Sequence, residues 1–194
     1  DAVGRKVRDK DPLNHVTSYQ MDVLDRVTKV TRPDGSSVSN AFDAAGNLLS
    51  TVDAIGKSWL WDYDKLNRQI KAIQPNGASS TTTFDPTGQV IAETDTLNRT
   101  TRFSFDNGGR RTATTDALSN VWQNFYDNAG RLTAVKSPLG AVSSMSYDIM
   151  DRLVSESDPL TNVTFNEFDN AGRRVARTDA KGRRTITVYS LRDR

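Results

Sequence analysis

The sequence predicts an all-β protein built from tandem antiparallel hairpins, and three observations predict it. First, an aromatic residue followed by aspartate returns every 21 residues without insertion or deletion, at Phe42-Asp43, Tyr63-Asp64, Phe84-Asp85, Phe105-Asp106, Tyr126-Asp127, Tyr147-Asp148 and Phe168-Asp169. A period in this range marks a repeat architecture, so the chain is one unit used about nine times. Second, all six prolines fall at the second position of a recurring turn, and of the 12 glycines only Gly108 lies outside the fourth position of one. Third, the segments between turns lack these breakers and are rich in threonine and valine, as in Arg131-Leu132-Thr133-Ala134-Val135.

Each element follows from a column of the repeat. Three residues after the aspartate stand Gly4, Asp25, Gly46, Asn67, Gly88, Gly109, Gly130, Asp151, Gly172 and Asp193. These are residue types that tolerate a left-handed backbone, so the column is a turn position. Directly after it come Arg5, Arg26, Arg68, Arg110, Arg131, Arg152, Arg173 and Arg194, with Asn47 and Gln89 as exceptions. Asp1 opens the series, Met21-Asp22 keeps its place with the aromatic replaced, and Tyr189-Ser190 is its last member. A second turn of the same chemistry is read in Asp11-Pro12-Leu13-Asn14, Asp53-Ala54-Ile55-Gly56, Ser137-Pro138-Leu139-Gly140, Asp158-Pro159-Leu160-Thr161 and Asp179-Ala180-Lys181-Gly182. Aspartate first, proline allowed second and glycine or asparagine fourth is the pattern of a type I turn closed by a left-handed residue, the usual three-residue hairpin loop.

Each unit is therefore expected to be two strands of about seven residues. In such a loop Asp127 faces Arg131 and Asp169 faces Arg173, as cross-strand ion pairs. Exposed pairs of this kind contribute only about 0 to 1 kcal/mol, so their role is to fix turn geometry and register. The aromatic before each aspartate shares a sheet face with Tyr19, Trp59, Trp61, Phe103, Trp122 and Met145, which predicts an aromatic stripe.

The hydrophobic fraction is 36%, or about 42% with glycine counted, below the roughly 45 to 50% of ordinary domains, so a thick core is not expected. With 26 basic and 24 acidic residues the net charge is +2, and the arginine column is matched by the aspartate column, which argues against a nucleic-acid partner. There is no cysteine, hence no disulfide framework or thiolate metal site, and there is no membrane-spanning run. The phase of the repeat never breaks, so residues 1–194 are read as a single repeat region; it begins and ends within a repeat, as an excerpt of a longer protein would.

About 18 strands at roughly 4.8 Å spacing make a strip on the order of 85 Å long. Open twisted sheets of that size curl, so the expectation is a curved, spiralling antiparallel wall around a hollow. A parallel β-solenoid with one coil per unit is the alternative architecture.

The unit Tyr126-Asp127-Asn128-Ala129-Gly130-Arg131-Leu132, followed by a turn of the Asp-Pro-x-Gly kind, here Ser137-Pro138-Leu139-Gly140, resembles the YD repeat of Rhs proteins along the whole chain. That family includes bacterial Rhs and wall-associated polymorphic toxins, the C components of insecticidal toxin complexes, and animal teneurins. The resemblance implies a spiral of hairpins forming a shell that, in bacterial members, encloses a C-terminal toxin domain. It further implies a secreted or cell-surface bacterial protein whose partners are its own C-terminal toxin domain and neighbouring repeats, with secretion machinery or cell-surface glycans beyond them. The self-cleaving segment that ends many bacterial shells has no counterpart here.

A search for chemistry assigns no catalytic, cofactor-binding or metal-binding residue, and the chain is expected to be neither an enzyme nor a carrier of a cofactor. His15, the single histidine, sits at a variable position just after a turn. The aspartates are single residues committed to turns, and no nucleotide or zinc motif is present. Paired carboxylates from neighbouring units could approach each other, but no pair stands out. Asn98-Arg99-Thr100 and Asn162-Val163-Thr164 are glycosylation sequons, relevant in a secreted eukaryotic protein. The leading function is a structural encapsulation module. The alternative is an adhesive or carbohydrate-binding module with Trp59, Trp61 and Trp122 as stacking platforms.

Overall fold

A computed structural model describes residues 4–190; Asp1, Asp193 and Arg194, members of the aspartate, turn and arginine columns, lie outside the described residues. The chain divides into two compact units, Asp1–Thr100 and Thr101–Arg194. The first carries β1 (Arg8–Lys10), β2 (Val16–Met21), β3 (Val27–Thr31), β4 (Ser37–Phe42), β5 (Leu48–Val52), β6 (Ser58–Tyr63), β7 (Gln69–Ile73), β8 (Ser79–Phe84) and β9 (Val90–Thr94). The second carries β10 (Thr100–Phe105), β11 (Arg111–Thr115), β12 (Val121–Tyr126), β13 (Leu132–Lys136), β14 (Val142–Tyr147), β15 (Leu153–Ser157), β16 (Val163–Phe168), β17 (Arg174–Thr178) and β18 (Arg184–Ile186).

Within each unit every strand pairs antiparallel with its neighbour in sequence, as in Val30↔Val38 of β3 and β4 and Val135↔Ser143 of β13 and β14. This pairing removes the parallel solenoid, whose adjacent strands would run the same way. Full strands are six and five residues long in alternation, shorter than the expected seven. The difference lies at the turns: Asp127 N–H donates to the Arg131 carbonyl at 3.0 Å and Gly130 N–H to the Asp127 carbonyl at 3.0 Å, so the turn's own bonds claim the residues beside it. All 11 glycines in fourth positions have positive φ, as do Asn14, Asp25, Asn67, Asn98, Ser119, Asp151 and Thr161.

The register holds a feature that the repeat pattern does not announce. In every full hairpin closed by the aspartate-arginine turn the ladder slips by one residue next to the aromatic: Phe125 pairs with Ala134, yet Tyr126 pairs with Leu132. This β-bulge recurs at Met21, Phe42, Tyr63, Phe84, Phe105, Tyr147 and Phe168, whereas the second-turn hairpins are regular. A bulge leaves a backbone group without a ladder partner, and such a group must find an acceptor or donor elsewhere.

The sheet buries little. Among the described residues Ala176, 2% exposed, is the one buried hydrophobic residue. Along β6 and β14 the aromatic-bearing face is half-buried while Leu60, Asp62, Ser144 and Ser146 on the other face are exposed. Trp59 and Trp61 lie on that half-buried face, and Trp122 is 40% exposed. Something other than a core must hold successive hairpins in place.

Candidate functional site

The aspartate, the arginine and the next aromatic form a clasp that repeats along each unit. It starts inside one turn. Asp127 Oδ1 accepts the amide protons of Ala129 at 2.9 Å and Arg131 at 2.9 Å, while its Oδ2 accepts Arg131 Nε–H at 2.7 Å. The same three bonds form at Asp22, Asp64, Asp106, Asp148 and Asp169. These donors hold the carboxyls below the usual carboxylate range: at Asp22 and Asp64 chiefly through the arginine side chain, at Asp127 and Asp169 chiefly through the arginine amide. Arg131 is shifted upward by the same contact with Asp127, and less by Asp151.

The arginine then reaches into the following repeat. Arg26 Nη1 donates to the Asp43 carbonyl at 2.9 Å, Arg131 Nη1 to the Asp148 carbonyl at 2.9 Å, and Arg152 Nη1 to the Asp169 carbonyl at 3.0 Å. The guanidinium also covers the aromatic of that repeat, 4.7 Å from the Phe42 ring centroid for Arg26, 4.2 Å from Phe84 for Arg68, 5.1 Å from Tyr147 for Arg131 and 4.9 Å from Phe168 for Arg152. One planar side chain thus closes its own turn, bonds the next turn and stacks on the next aromatic.

The fourth residue of the next turn answers this reach in two ways. Where it is glycine, the guanidinium can pass beside it: a Cβ on Gly130 would touch Arg110 Nη1 at 3.4 Å and one on Gly88 would touch Arg68 Nη1 at 3.5 Å, whereas one on Gly172 would meet nothing within 4 Å. Where it is acidic, it adds a second ion pair, Arg131 Nη1 to Asp151 Oδ1 at 2.7 Å and Arg5 Nη1 to Asp25 Oδ1 at 2.9 Å. At the exception Asn47, the amide donates to Asp43 Oδ2 and to Asn67 Oδ1, both at 2.8 Å.

The bulge supplies a third link. Its freed carbonyl is taken by the following repeat: Tyr126 O–H and Asn124 Nδ2–H both donate to the Arg111 carbonyl, at 2.9 and 3.0 Å. Tyr147 O–H donates to the Leu132 carbonyl at 2.9 Å, and Asn40 and Asn166 donate to the Val27 and Leu153 carbonyls. The column pattern gives the arginine a partner only within its own turn and leaves these asparagines without a role. The signal for the links between repeats is pairwise: Asn47 is followed by Asn67, and Arg131 by Asp151, at the spacing that brings them together.

His15 lies in this scheme rather than in a catalytic one, with its ring Nδ1 2.8 Å from Asp11 Oδ2 across an exposed second turn. A shallow groove of about 570 Å³ opens beside the Asp158 and Asp179 turns, lined in part by Ser143, Glu156 and Lys181. Among the described residues no group of three or more His, Asp or Glu is placed to hold a metal ion.

Arg152→Lys is expected to lower the thermal midpoint by about 3 °C, and Arg152→Ala by more. Lysine keeps the charge but lacks the planar fork that serves Asp148, the Asp169 carbonyl and the Phe168 ring together. Equal midpoints for wild type and Arg152→Lys in circular dichroism melts would refute the clasp.

Short antiparallel hairpins joined in sequence by inter-repeat clasps define a tandem β-hairpin repeat protein. The profile of the family described as RHS Repeat matches residues 42–79, 84–121, 126–163 and 151–184, most of the chain. The chain belongs to the RHS repeat family. Its fold is similar to that of a chain in the Photorhabdus luminescens Tc holotoxin pore, with a TM-score of 0.58 and 14% identity over 91% of this chain and 11% of that one. A chain in the crystal structure of TcdB2-TccC3-TEV is also similar, with a TM-score of 0.48 and 13% identity over 91% of this chain and 12% of that one. The chain thus spans about a tenth of the length of these solved chains. No curated protein matches it.

Proposed function

We propose that this chain is a structural module, a stretch of the β-wall with which a longer polypeptide of a toxin complex encloses its own C-terminal toxin domain. The clasp is the observation that carries this reading. It ties each hairpin to the next through Arg131, Tyr147 and their counterparts, so a sheet with almost no buried side chains holds its form. A wall one sheet thick is what a container needs and what an ordinary core-forming domain is not. The Tc holotoxin chain of similar fold belongs to a toxin complex, which supports the same setting here.

On this reading residues 1–194 are one repeat region, its partners are the neighbouring repeats and the enclosed domain, and the protein is secreted or held at a bacterial cell surface. It works as scaffold rather than catalyst. A cryo-EM map of the longer polypeptide is expected to show density of the segment after the repeats within the curl of the sheet. An open strip with that segment outside would overturn the proposal.

A further inference from the structure

The first turns differ from one another in a regular way that the 21-residue period does not contain. Their fourth residue is glycine at Gly46, Gly88, Gly130 and Gly172, and a residue with a side chain at Asp25, Asn67 and Asp151. Asp25 and Asn67 are 42 residues apart, and Asn67 and Asp151 twice that. The third residue alternates in step, with Leu24, Leu66 and Met150 before the side-chain-bearing positions and Ala45, Thr87, Ala129 and Ala171 before the glycines. Two columns therefore share a period of two hairpins. The slot at Gln89 and Gly109 departs from the series, and there the residue of the arginine column, the fourth residue and the third residue, Gly108, all differ together.

The alternation has a geometric counterpart. Asp25, Asn67 and Asp151 hold left-handed φ values of 62°, 60° and 61°, a conformation that strains a residue with a Cβ and not a glycine. Each of them meets a side chain sent from the preceding repeat: Arg5 Nη1 at 2.9 Å, Asn47 Nδ2 at 2.8 Å and Arg131 Nη1 at 2.7 Å. Arg110 and Arg152 reach turns whose fourth residue is glycine, and there bond the Asp127 carbonyl at 3.1 Å and the Asp169 carbonyl at 3.0 Å. Arg131 makes that backbone bond as well, to the Asp148 carbonyl at 2.9 Å, so its junction carries one more link than those on either side.

We propose that the cooperative unit of the sheet is a couple of hairpins, 42 residues long, with the side-chain link inside each couple and none at its boundaries. In the second unit β12–β13 and β14–β15 form one couple. Its inner junction is the β13–β14 ladder, and the β11–β12 and β15–β16 ladders are its boundaries. The stability of a repeat array is close to a sum of repeat terms and nearest-neighbour junction terms, so opening concentrates at the weaker junctions. The sheet then parts in blocks of four strands, with β12 and β15 as the transient edges of this one. The inference does not depend on what the sheet encloses, and its test uses this chain alone.

Hydrogen exchange, corrected for intrinsic rates, is expected to show amides bonded across the β13–β14 ladder about two- to fivefold more protected than those across β11–β12 and β15–β16. Asp151→Gly relieves the strained φ but removes the acceptor, and should bring β13–β14 down to its neighbours while leaving those unchanged. Asp151→Asn keeps an acceptor oxygen, as Asn67 does for Asn47, and should retain the difference. Conversely, Gly130→Asp gives Arg110 an acceptor and should raise β11–β12 above β15–β16. Equal protection of the three ladders in the wild type, or a difference that survives Asp151→Gly, would overturn the inference. So would an Asp151→Gly chain in which all three ladders lose protection together, because Asp151 would then support the whole sheet rather than one junction.

Discussion

Acidification is expected to unfold this chain cooperatively, with a urea midpoint that is flat from about pH 7 to pH 5 and falls steeply below about pH 4. The cause is the repetition of one group. Carboxyls held below their usual range recur from turn to turn, at Asp22, Asp43, Asp64, Asp85, Asp95, Asp106, Asp116, Asp127, Asp148, Asp158, Asp169 and Asp179. A carboxyl whose pKa is depressed by folding takes up its proton more readily in the unfolded chain. Its stabilising contribution is complete above the unfolded value and is lost as pH falls through the folded one. Each exposed group contributes little, but every such turn loses its donors' acceptor over the same pH interval, and neighbouring repeats depend on each other. The turn at Ser137 is an internal control, because there the Ala141 amide donates to a hydroxyl, at 3.1 Å, that does not titrate. Amide protection, corrected for intrinsic exchange, should fall first at residues such as Ala129 and Arg131 and later at Ala141. A urea midpoint unchanged down to pH 3 would contradict this account.

The fold is legible in the sequence because its constraints are local. A left-handed backbone at the fourth turn position admits few residue types, and the recurrence of Asp25, Asn67 and Gly130 at one place in the repeat marks it directly. Asp127 facing Arg131 follows from loop length alone. What is not legible depends on how one hairpin is staggered against the next. The bulge at Tyr126 and the capture of the Leu132 carbonyl by Tyr147 involve no unusual residue, only an offset of one in the ladder. The second destination of Arg131, on the Asp148 carbonyl and the Tyr147 ring, likewise depends on that offset. The strands are shorter than alternation suggests because the turn's own bonds consume residues that alternation alone assigns to strands. The clasp is set by side-chain reach between repeats, a distance that spacing along one chain does not specify.

Gly130→Val is expected to destabilise the chain by about 3 kcal/mol, and Gly140→Val by about 1 to 2 kcal/mol. Both glycines have positive φ, 90° and 83°, so both variants incur backbone strain, and a branched side chain worsens it. The sites differ in their surroundings. A Cβ at Gly140 meets nothing within 4 Å, whereas one at Gly130 comes within 3.4 Å of Arg110 Nη1. The valine methyls would push the guanidinium away from the Asp127 carbonyl, which it reaches at 3.1 Å, and from the Tyr126 ring, 5.0 Å from its centroid. Strain is therefore common to both, and loss of the inter-repeat contact belongs to Gly130 alone. Gly130→Asp separates the two effects. Asp151 already holds a left-handed φ of 61° while accepting from Arg131, so an aspartate at position 130 can pair with Arg110 in the same way. That variant should lose less than about 1 kcal/mol in urea melts despite its Cβ, the new acceptor offsetting most of the strain. Equal losses for the two valine variants, or a Gly130→Asp chain as unstable as Gly130→Val, would mean that the arginine's reach into the next turn contributes nothing to holding the repeats together.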